Sequence, residues 1–279
     1  MINRLAAVIV CALVWGCASA RPVADAAPDF SVLTYNVNFA APRPDLAVRA
    51  IAEADADVVC LQETTPEWER VVREGLGKAY PYVRFHHEPA AGGMALLSKW
   101  DFEGLTFRRT QAGWFPACVL TVNTPAGPVR VVSVHLRPPV SDGGSFASGY
   151  FTTPPVRRSE IEEIHAAAAD PAVPLVFVGD FNEGRGGAAV RYLSKRGYQS
   201  ALRQYAPSAS TWHWQYGPIP LRGHLDHVLY DPSLECLDAR VLRQGASDHY
   251  PVLAAFRFRG ARGEQPADAN GRPVTAAVD

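Results

Sequence analysis

Several apolar runs in this chain of 279 residues end in a side chain that can bind a metal ion or transfer a proton. The runs are VLTYN, VVCLQE, VVSVH and LVFVGDFN, and the segments HLDH and SDH follow nearer the carboxyl end. Together they place Asn36, Glu63, His135, Asp180, Asn182, Asp226, Asp248 and His249. A carboxylate beside a buried strand is costly unless it is paired, hydrogen-bonded or bound to a cation. The pattern therefore predicts a polar site built from strand ends.

The spread of these residues along the chain does not prevent them from meeting. The ends of neighbouring strands gather along one edge of a sheet. A single member, such as Asp180-Phe181-Asn182, is equally typical of a turn, but the repeated pattern favours a shared site. The set is rich in oxygen and lacks cysteine, which suits Mg²⁺, Mn²⁺ or Ca²⁺ better than Zn²⁺.

Short β runs alternate with helical segments through most of the chain. Strands are predicted at Phe30–Val37, Asp57–Leu61, Ala95–Ser98, Cys118–Val122, Val129–Leu136, Leu175–Val178, His224–Tyr230 and Val252–Phe258. Helices are predicted at Leu46–Ala54, Pro66–Gly75, Arg157–Ala169 and Gly187–Arg196. Several strands are apolar at nearly every position, which indicates burial on both faces. We expect a single α/β domain over residues 30–259: two packed mixed sheets flanked by helices, a four-layer sandwich.

An ordered series of short motifs covers residues 30–258. It reads TYNV, LQE, GGMALLSK, SVHL, GDFN, TW, LDHVLY and SDHYP. In content and order the series resembles the endonuclease/exonuclease/phosphatase superfamily, which includes deoxyribonuclease I, exonuclease III, neutral sphingomyelinases and inositol polyphosphate 5-phosphatases. The resemblance implies the four-layer sandwich and metal-dependent hydrolysis of phosphoester bonds.

The resemblance also implies how a metal ion would be held. Glu63 would be the principal ligand, with Asn36 and Asp248 nearby in the same metal and phosphate region. The ion would be Mg²⁺ or Mn²⁺, with Ca²⁺ as an alternative.

The remaining residues of the set acquire catalytic roles from the same resemblance. Asp180 would orient or deprotonate the attacking water, and Asn182 would hold that water or a phosphate oxygen. His249, paired with Asp226, would stabilise charge on the scissile phosphate or assist proton transfer, and His135 would be the second imidazole on the phosphate. A phosphodiester is anionic, so cationic groups must offset the charge that builds on its oxygens.

Two sequence details narrow the choice among the branches of this superfamily. SVHL resembles the deoxyribonuclease, sphingomyelinase and inositol-phosphatase branches, whereas TWHWQYG shares only the beginning of the abasic-endonuclease motif TWWDYR. Thr211 and Trp212 are therefore expected to line the site, and repair of abasic DNA is disfavoured. Trp212 and Trp214 could stack on a base, but with Tyr216 they are interpreted as core residues.

The stretch RPPVSDGGSFASGYFTTPP follows His135 and is expected to be a long loop. Its aromatic residues suggest the hypothesis that it contacts the part of the substrate that is not phosphate. Arg137, Arg157 and Arg158 flank it. They could bind phosphate, Arg137 being the substrate-binding candidate, or merely solvate the loop and a helix start, which is the default expectation.

The first 20 residues, MINRLAAVIVCALVWGCASA, are typical of a secretory signal peptide. The apolar run is too short for a membrane span. Val14-Trp15-Gly16-Cys17 also resembles a lipoprotein box, so cleavage before Cys17 with a lipid anchor there is an open alternative. We expect export to the periplasm, the cell envelope or the medium, a spacer over residues 21–29 and a disordered tail over residues 260–279.

Composition limits the choice of function. With 27 Lys and Arg against 28 Asp and Glu, the net charge of -1 gives no global basic field for nucleic acid. Cys60, Cys118 and Cys236 lie in apolar stretches and are expected to be inert, with one disulfide as the alternative. The leading hypothesis is a phosphodiesterase or nuclease that binds nucleic acid or phospholipid. The alternatives are a phosphomonoesterase, a sphingomyelinase-like lipid phosphodiesterase and a non-catalytic surface binding module; the chain is expected to be a monomer without a protein partner.

Overall fold

Two mixed six-stranded β-sheets pack face to face in the computed structural model, which describes residues 27–41 and 43–260. The first sheet contains β1 (Phe30–Asn36), β2 (Val58–Gln62), β3 (Tyr82–His86), β4 (Met94–Ser98), β13 (Leu234–Val241) and β14 (Val252–Phe258). Its strand order is β13-β14-β1-β2-β4-β3, and only β1 and β2 run parallel. The last described strand therefore lies beside the first.

The second sheet repeats this plan. It contains β5 (Phe102–Arg109), β6 (Pro116–Thr124), β7 (Gly127–His135), β8 (Leu175–Asp180), β9 (Gln199–Ser200) and β12 (Asp226–Tyr230). The order is β5-β6-β7-β8-β12-β9, with β7 and β8 as the parallel pair. A separate hairpin is formed by β10 (Trp212–Tyr216) and β11 (Ile219–Gly223).

Six helices flank the two sheets within the described residues. They are α1 (Pro44–Ala54), α2 (Pro66–Leu76), α3 (Phe146–Thr152), α4 (Pro154–Ala168), α5 (Ala188–Ser194) and α6 (Ala201–Tyr205), with a short 3-10 turn at Ala90–Gly92. Proline opens α1, α2 and α4, where its missing N–H costs nothing. No described helix has the length and apolar character needed to cross a membrane.

Alternation along the central strands divides the apolar side chains among three buried clusters. Val32 and Val58 face the second sheet, where they meet Val131 and Val178. The opposite faces pack on α1 and α2 in the first sheet, and on α4 and α5 in the second. Three apolar layers between four layers of backbone explain why the central strands read as continuous apolar runs.

One polar bridge crosses the apolar layer between the sheets. Gln62 on β2 donates from Nε2 to Ser133 Oγ on β7 at 3.0 Å, and to Thr34 Oγ1 on β1 at 3.2 Å. All three side chains are buried, so the bonds are needed to offset the loss of water. The bridge fixes the relative position of the two sheets one residue before Glu63 and two residues before His135.

The predicted four-layer sandwich is confirmed, as are the eight predicted strands and four predicted helices, with shifts of a few residues at their ends. The sequence did not predict β3, β5, β9, β10, β11 and β13. The expected loop after His135 is partly wrong, because α3 forms within it with Ser145 as its cap. The cysteines at 60, 118 and 236 are buried free thiols. The predicted signal peptide with Cys17, the first part of the spacer and residues 261–279 of the tail lie outside the described residues.

Gly179 allows β7 and β8 to pair next to the predicted site. Its φ is +135°, and a Cβ there would lie 2.0 Å from the carbonyl oxygen of Val134. We expect Gly179→Ala to lower the free energy of unfolding by about 2–4 kcal/mol, through backbone strain and a clash that cannot relax. Urea unfolding measures the change. Gly143→Ala is the control, since its Cβ would meet only Ser141 Oγ at 3.9 Å; equal stability of the two variants would contradict the assignment.

Candidate active site

The predicted polar residues meet at one edge of the sandwich. The parallel strands β1 and β2 end there at Asn36 and Gln62, and β7 and β8 end there at His135 and Asp180, each pair in register. The antiparallel strands β12 and β14 start at the same edge, with Asp226 opposite Asp180. This arrangement of strand directions brings residues from six parts of the chain together.

Asp180 lies at the centre of the site and is 1% exposed. Its Oδ1 accepts the Asn182 backbone N–H at 2.8 Å, and its Oδ2 accepts Asn36 Nδ2 at 3.2 Å. The same Oδ2 lies 3.7 Å from His135 Nε2 and 3.6 Å from His249 Nε2. Burial raises the pKa of Asp180, and the nearby His249 opposes that rise. A carboxylate held in this way can accept a proton.

His249 and Asp226 form a buried pair. His249 Nδ1 lies 2.9 Å and 3.1 Å from the two carboxylate oxygens of Asp226, which fixes Nδ1 as the donor and turns Nε2 toward Asp180. Burial disfavours the imidazolium, but the carboxylates of Asp226 and Asp180 outweigh it and raise the pKa of His249 to about 10. The two carboxylates therefore favour the protonated form of the His249 ring.

His135 differs from His249 in charge. Burial lowers the pKa of His135 to about 4, even though Asp180 opposes the change. Its ring stacks on Phe115 with centroids 4.2 Å apart, and its Nε2 faces Glu63 Oε1 at 3.9 Å. Burial therefore favours the neutral form of the His135 ring, so the two histidines can play different parts in proton transfer.

Glu63 follows β2 with a left-handed backbone, at φ 61°. Its Oε1 accepts Asn36 Nδ2 at 2.9 Å and its Oε2 accepts the Phe39 backbone N–H at 3.3 Å. Burial raises the pKa of Glu63, against the hydrogen bond from Asn36. Asn36 thus acts as a donor between Glu63 and Asp180, while its own oxygen accepts the Asn38 N–H at 3.0 Å.

Asp248 is fixed by two donors that the motifs did not assign to it. Asn38 Nδ2 donates to Oδ1 at 2.8 Å, and Trp212 Nε1 donates to Oδ2 at 2.9 Å. Asn38, at φ 59°, adopts the left-handed conformation that asparagine tolerates. Ser247 Oγ donates to the Asn36 carbonyl at 2.7 Å and so joins this segment to β1. The sequence did not lead us to Asn38. Its position two residues after Asn36, at the end of the same strand, is the signal that could have indicated it.

Two further candidates, Thr211 and Asn182, hydrogen-bond to backbone groups next to the site. Thr211 is buried, and its Oγ1 accepts the backbone N–H groups of Leu225 and Asp226 at 2.9 Å and 3.0 Å. Asn182, at φ 52°, donates from Nδ2 to the Leu136 carbonyl at 2.9 Å and so joins β8 to the end of β7. Thr211 therefore orients Asp226 rather than lining the site directly.

The charge balance of the site fits a divalent cation. Within the described part of the chain, the basic side chains within 4 Å of the carboxylates of Glu63, Asp180 and Asp226 are those of His135 and His249. With His135 neutral, one imidazolium faces several carboxylates. Asp180, Asp226 and His249 each offer a ligand atom within 4.8 Å of the others. Because His249 Nδ1 already holds Asp226, the oxygens of Glu63 and Asp248 remain our predicted ligands, with Asn36 as a predicted third.

A network of buried ion pairs and hydrogen bonds lies next to the segment that follows β7. Arg137 and Arg157 belong to this network, so the expectation that they are solvated is wrong. Both arginines are at most 5% exposed. Arg157 Nε bonds Glu183 Oε2 at 3.0 Å, and its NH1 donates to the Arg137 carbonyl at 3.0 Å. Glu160 Oε2 accepts the Arg137 N–H at 2.9 Å. Arg137, the substrate-binding candidate, stacks on Trp114 at 3.5 Å and bonds Asp142. The network holds the segment that follows His135.

The expected core position of Trp214 and Tyr216 is wrong. They are 50% and 70% exposed on the β10–β11 hairpin, where they pair with exposed Leu221 and Ile219. Strand alternation places these four side chains on one face of the hairpin. Trp212, on the same strand, is partly buried and contacts the site through Asp248.

The sequence matches the model of the endonuclease/exonuclease/phosphatase family over residues 33–249. The fold is similar to that of an endonuclease/exonuclease/phosphatase from Beutenbergia cavernae, at 22% identity and TM-score 0.64, covering 83% of this chain and 72% of that one. It is also similar to the human Nocturnin catalytic domain with a bound sulfate anion (17% identity, TM-score 0.64, 82% and 94% covered). An AP endonuclease from Archaeoglobus fulgidus is similar as well (17%, TM-score 0.62, 81% and 99% covered). No curated protein matches by sequence at a significant level.

Neighbouring arginines offer a matched test of the buried network. Arg157→Ala removes one partner of a buried ion pair and should lower the free energy of unfolding by about 3–5 kcal/mol. Arg158→Ala breaks a pair with Glu162 whose side chains are 41% and 43% exposed, and it removes the contact of the guanidinium with the Tyr192 ring at 4.6 Å, so its effect should stay below about 2 kcal/mol. Thermal and urea unfolding give both values, and a loss of similar size in the two variants would argue against the network.

Proposed function

Because the chain belongs to the endonuclease/exonuclease/phosphatase family, we propose that it is a phosphodiesterase that cleaves nucleic acid with an activated water molecule. The chain is a metal-dependent phosphoester hydrolase; the phosphodiester and the nucleic acid are the proposal. The observation that carries it is the position of Asp180 Oδ2, 3.7 Å and 3.6 Å from two imidazoles of opposite protonation preference.

Asp180 is the group that accepts a proton from the attacking water. Both of its oxygens accept a hydrogen bond, Oδ1 from the Asn182 N–H and Oδ2 from Asn36 Nδ2, and Oδ2 is the oxygen that faces the two imidazoles. Asn182 itself is anchored to the Leu136 carbonyl, so the loop after β8 cannot swing the carboxylate away. A base fixed in this way loses little conformational entropy when the water is aligned.

Charge on the phosphate is met by His249 and by a metal ion. His249, kept cationic by Asp226, directs Nε2 toward the same space as Asp180, and this Nε2–H can donate to a phosphate oxygen or to the leaving oxygen. A divalent cation held by Glu63 and Asp248, with Asn36 nearby, would supply further positive charge to the phosphate oxygens. His135, being neutral, can donate one hydrogen bond without adding charge.

A lipid phosphodiester is the second candidate, and one observation favours it. Trp214, Tyr216, Ile219 and Leu221 form an exposed apolar face on a hairpin that is joined to the site through Trp212 and Asp248. Exposed apolar faces with aromatic residues are common where proteins contact other molecules or membranes. Phosphomonoesters are the third alternative, since the same groups could hydrolyse them.

The site residues predict which substitutions stop turnover. Asp180→Asn removes the base and His249→Ala removes the cationic donor, and each should lower kcat by about 10²–10⁴-fold on single-stranded DNA and on bis-aryl phosphate. The matched controls are Asp238→Asn and His87→Ala, whose side chains contact Arg240 and Glu69 outside the site. Circular dichroism confirms folding of each variant. Near-normal rates for either site variant would refute the assigned roles.

The substrate is tested on the same protein with plasmid DNA, single-stranded DNA, RNA, sphingomyelin vesicles and inositol polyphosphates. Cleavage of plasmid DNA, single-stranded DNA or RNA supports the proposal. Cleavage of sphingomyelin alone would replace it with the lipid alternative, and release of phosphate from inositol polyphosphates alone would replace it with the phosphomonoester alternative.

Metal dependence gives a further prediction. Hydrolysis should stop in EDTA and return with Mg²⁺ or Mn²⁺, because the carboxylates of the site need a cation beside a charged substrate. Glu63→Gln should raise the metal concentration needed for half-maximal rate by about 10-fold or more, as measured by metal titration of the initial rate. Turnover that persists in the chelator would contradict the metal role.

A further inference from the structure

A cavity of about 520 Å³ opens beside Asn182, next to the proposed active site. Its walls come from the segment after β7, including Pro139, and from the loop between β8 and α5. A volume of this size suits a small organic group rather than a water molecule or an ion. The catalytic residues do not require such a space, so its shape and lining point to another part of the substrate.

Tyr150 and Phe151 form one wall of the cavity. They are 68% and 79% exposed, and their rings meet edge to face with centroids 5.2 Å apart. Aromatic side chains with this much exposure are costly to keep in water and are typical of binding surfaces.

The aromatic wall is held in place by Gly149. A Cβ at this buried position would lie 2.5 Å from three backbone atoms of the facing segment, among them the Pro139 carbonyl oxygen and the Ser141 nitrogen. Helix α3 therefore packs directly on residues 139–141. Ser145 caps the helix, and Thr153 Oγ1 bonds the Gly149 carbonyl at 2.6 Å. The two rings are thus carried by a fixed helix beside the site.

The facing wall includes three glycines, which carry no side chain. It contains Gly184, Gly186 and Gly187, and at the first two a Cβ would have no neighbouring atom within 4 Å. At Gly184 and Gly186 the backbone is therefore open to a flat group that lies across the cavity from the aromatic rings. This shape favours an aromatic ring system over a branched or bulky group.

The charges that line the cavity favour an anion beside that ring system. Arg157 and Glu183 are paired with each other, and Glu183 also accepts the N–H groups of Ala188 and Val190 at 2.9 Å each, so neither offers free charge. Arg191 is exposed and bonds the Gly186 carbonyl. Within residues 27–41 and 43–260 no carboxylate forms an ion pair with Arg191 among the contacts of the structure. Its guanidinium is available to a phosphate.

We propose that this cavity binds one unpaired nucleoside of the substrate, next to the scissile phosphate. The base lies on Tyr150 and Phe151, and the neighbouring phosphate meets Arg191. This inference rests on the proposed phosphodiesterase function. Base stacking on aromatic rings tolerates any base, so the cavity selects single-stranded nucleic acid or nucleotide esters over duplex DNA without reading sequence.

The test compares two esters that share a leaving group. Thymidine 5′-(4-nitrophenyl phosphate) carries a nucleoside, whereas methyl 4-nitrophenyl phosphate does not. In the wild-type protein with Mg²⁺, kcat/KM should be larger for the thymidine ester. The double variant Tyr150→Ala/Phe151→Ala should lower the ratio of the two kcat/KM values roughly 10-fold, within the range expected for loss of stacking on one base.

Phe146→Ala is the matched control. Phe146 lies on the same helix and is 69% exposed, but it does not line the cavity. The ratio should stay at the wild-type value in this variant. An unchanged ratio in the double variant overturns the inference, and so does a fall of equal size in the control.

Binding of thymidine 5′-monophosphate, measured by calorimetry in EDTA, separates this inference from the proposed function. The double variant should weaken binding of the nucleotide roughly 10-fold. Arg191→Ala should weaken binding of the nucleotide but leave binding of free thymidine unchanged. If neither ester is hydrolysed but this binding pattern appears, the proposed function fails and the cavity assignment stands. If the double variant slows cleavage of sphingomyelin vesicles and leaves the ester ratio unchanged, the aromatic wall contacts lipid and the inference is wrong.

Discussion

The buried carboxylate of Asp180 is the constraint on which the site depends. It lies where the two sheets meet, and water cannot offset its charge there. The charge is compensated by the side-chain amide of Asn36 from the first sheet and by the backbone N–H of Asn182 from the second. The ring of His249 lies beside it as well. These groups are themselves held by further polar contacts. The result is a network in which each buried polar group is held in place by its hydrogen bonds to the next one.

The pairing of the sheets determines whether this network can form. Gln62 and Ser133 join across the apolar layer one and two residues before Glu63 and His135. Side chains alternate between the two faces of a strand. A register shift of one residue in either sheet would therefore direct the site residues of that sheet into the apolar core. The apolar layers supply the stability of the sandwich, and the polar bridge specifies how its layers align.

Much of this architecture could be predicted from the sequence, because the central strands are apolar on both faces and end in polar residues. Strand directions then brought Asn36, His135 and Asp180 to one edge, as expected. Edge strands such as β5 were missed, since their exposed faces carry polar residues and weaken the apolar pattern. The buried role of Arg157 was also missed, because its partner Glu183 lies 26 residues away and only the fold brings them together. The opposite pKa shifts of His135 and His249 depend on burial and on nearby carboxylates, which the order of residues does not reveal.

The position of β14 has a consequence for the order in which the protein gains activity. This strand, near the end of the described chain, pairs with β1 near its beginning, and Asp248 and His249 come directly before it. Contacts between such distant segments form late in folding, because a long loop must close first. A chain still emerging from the ribosome therefore holds Asp180 and Glu63 without the imidazole that completes them. The site is therefore complete only after β14 has paired with β1 and brought Asp248 and His249 to the edge of the sheet.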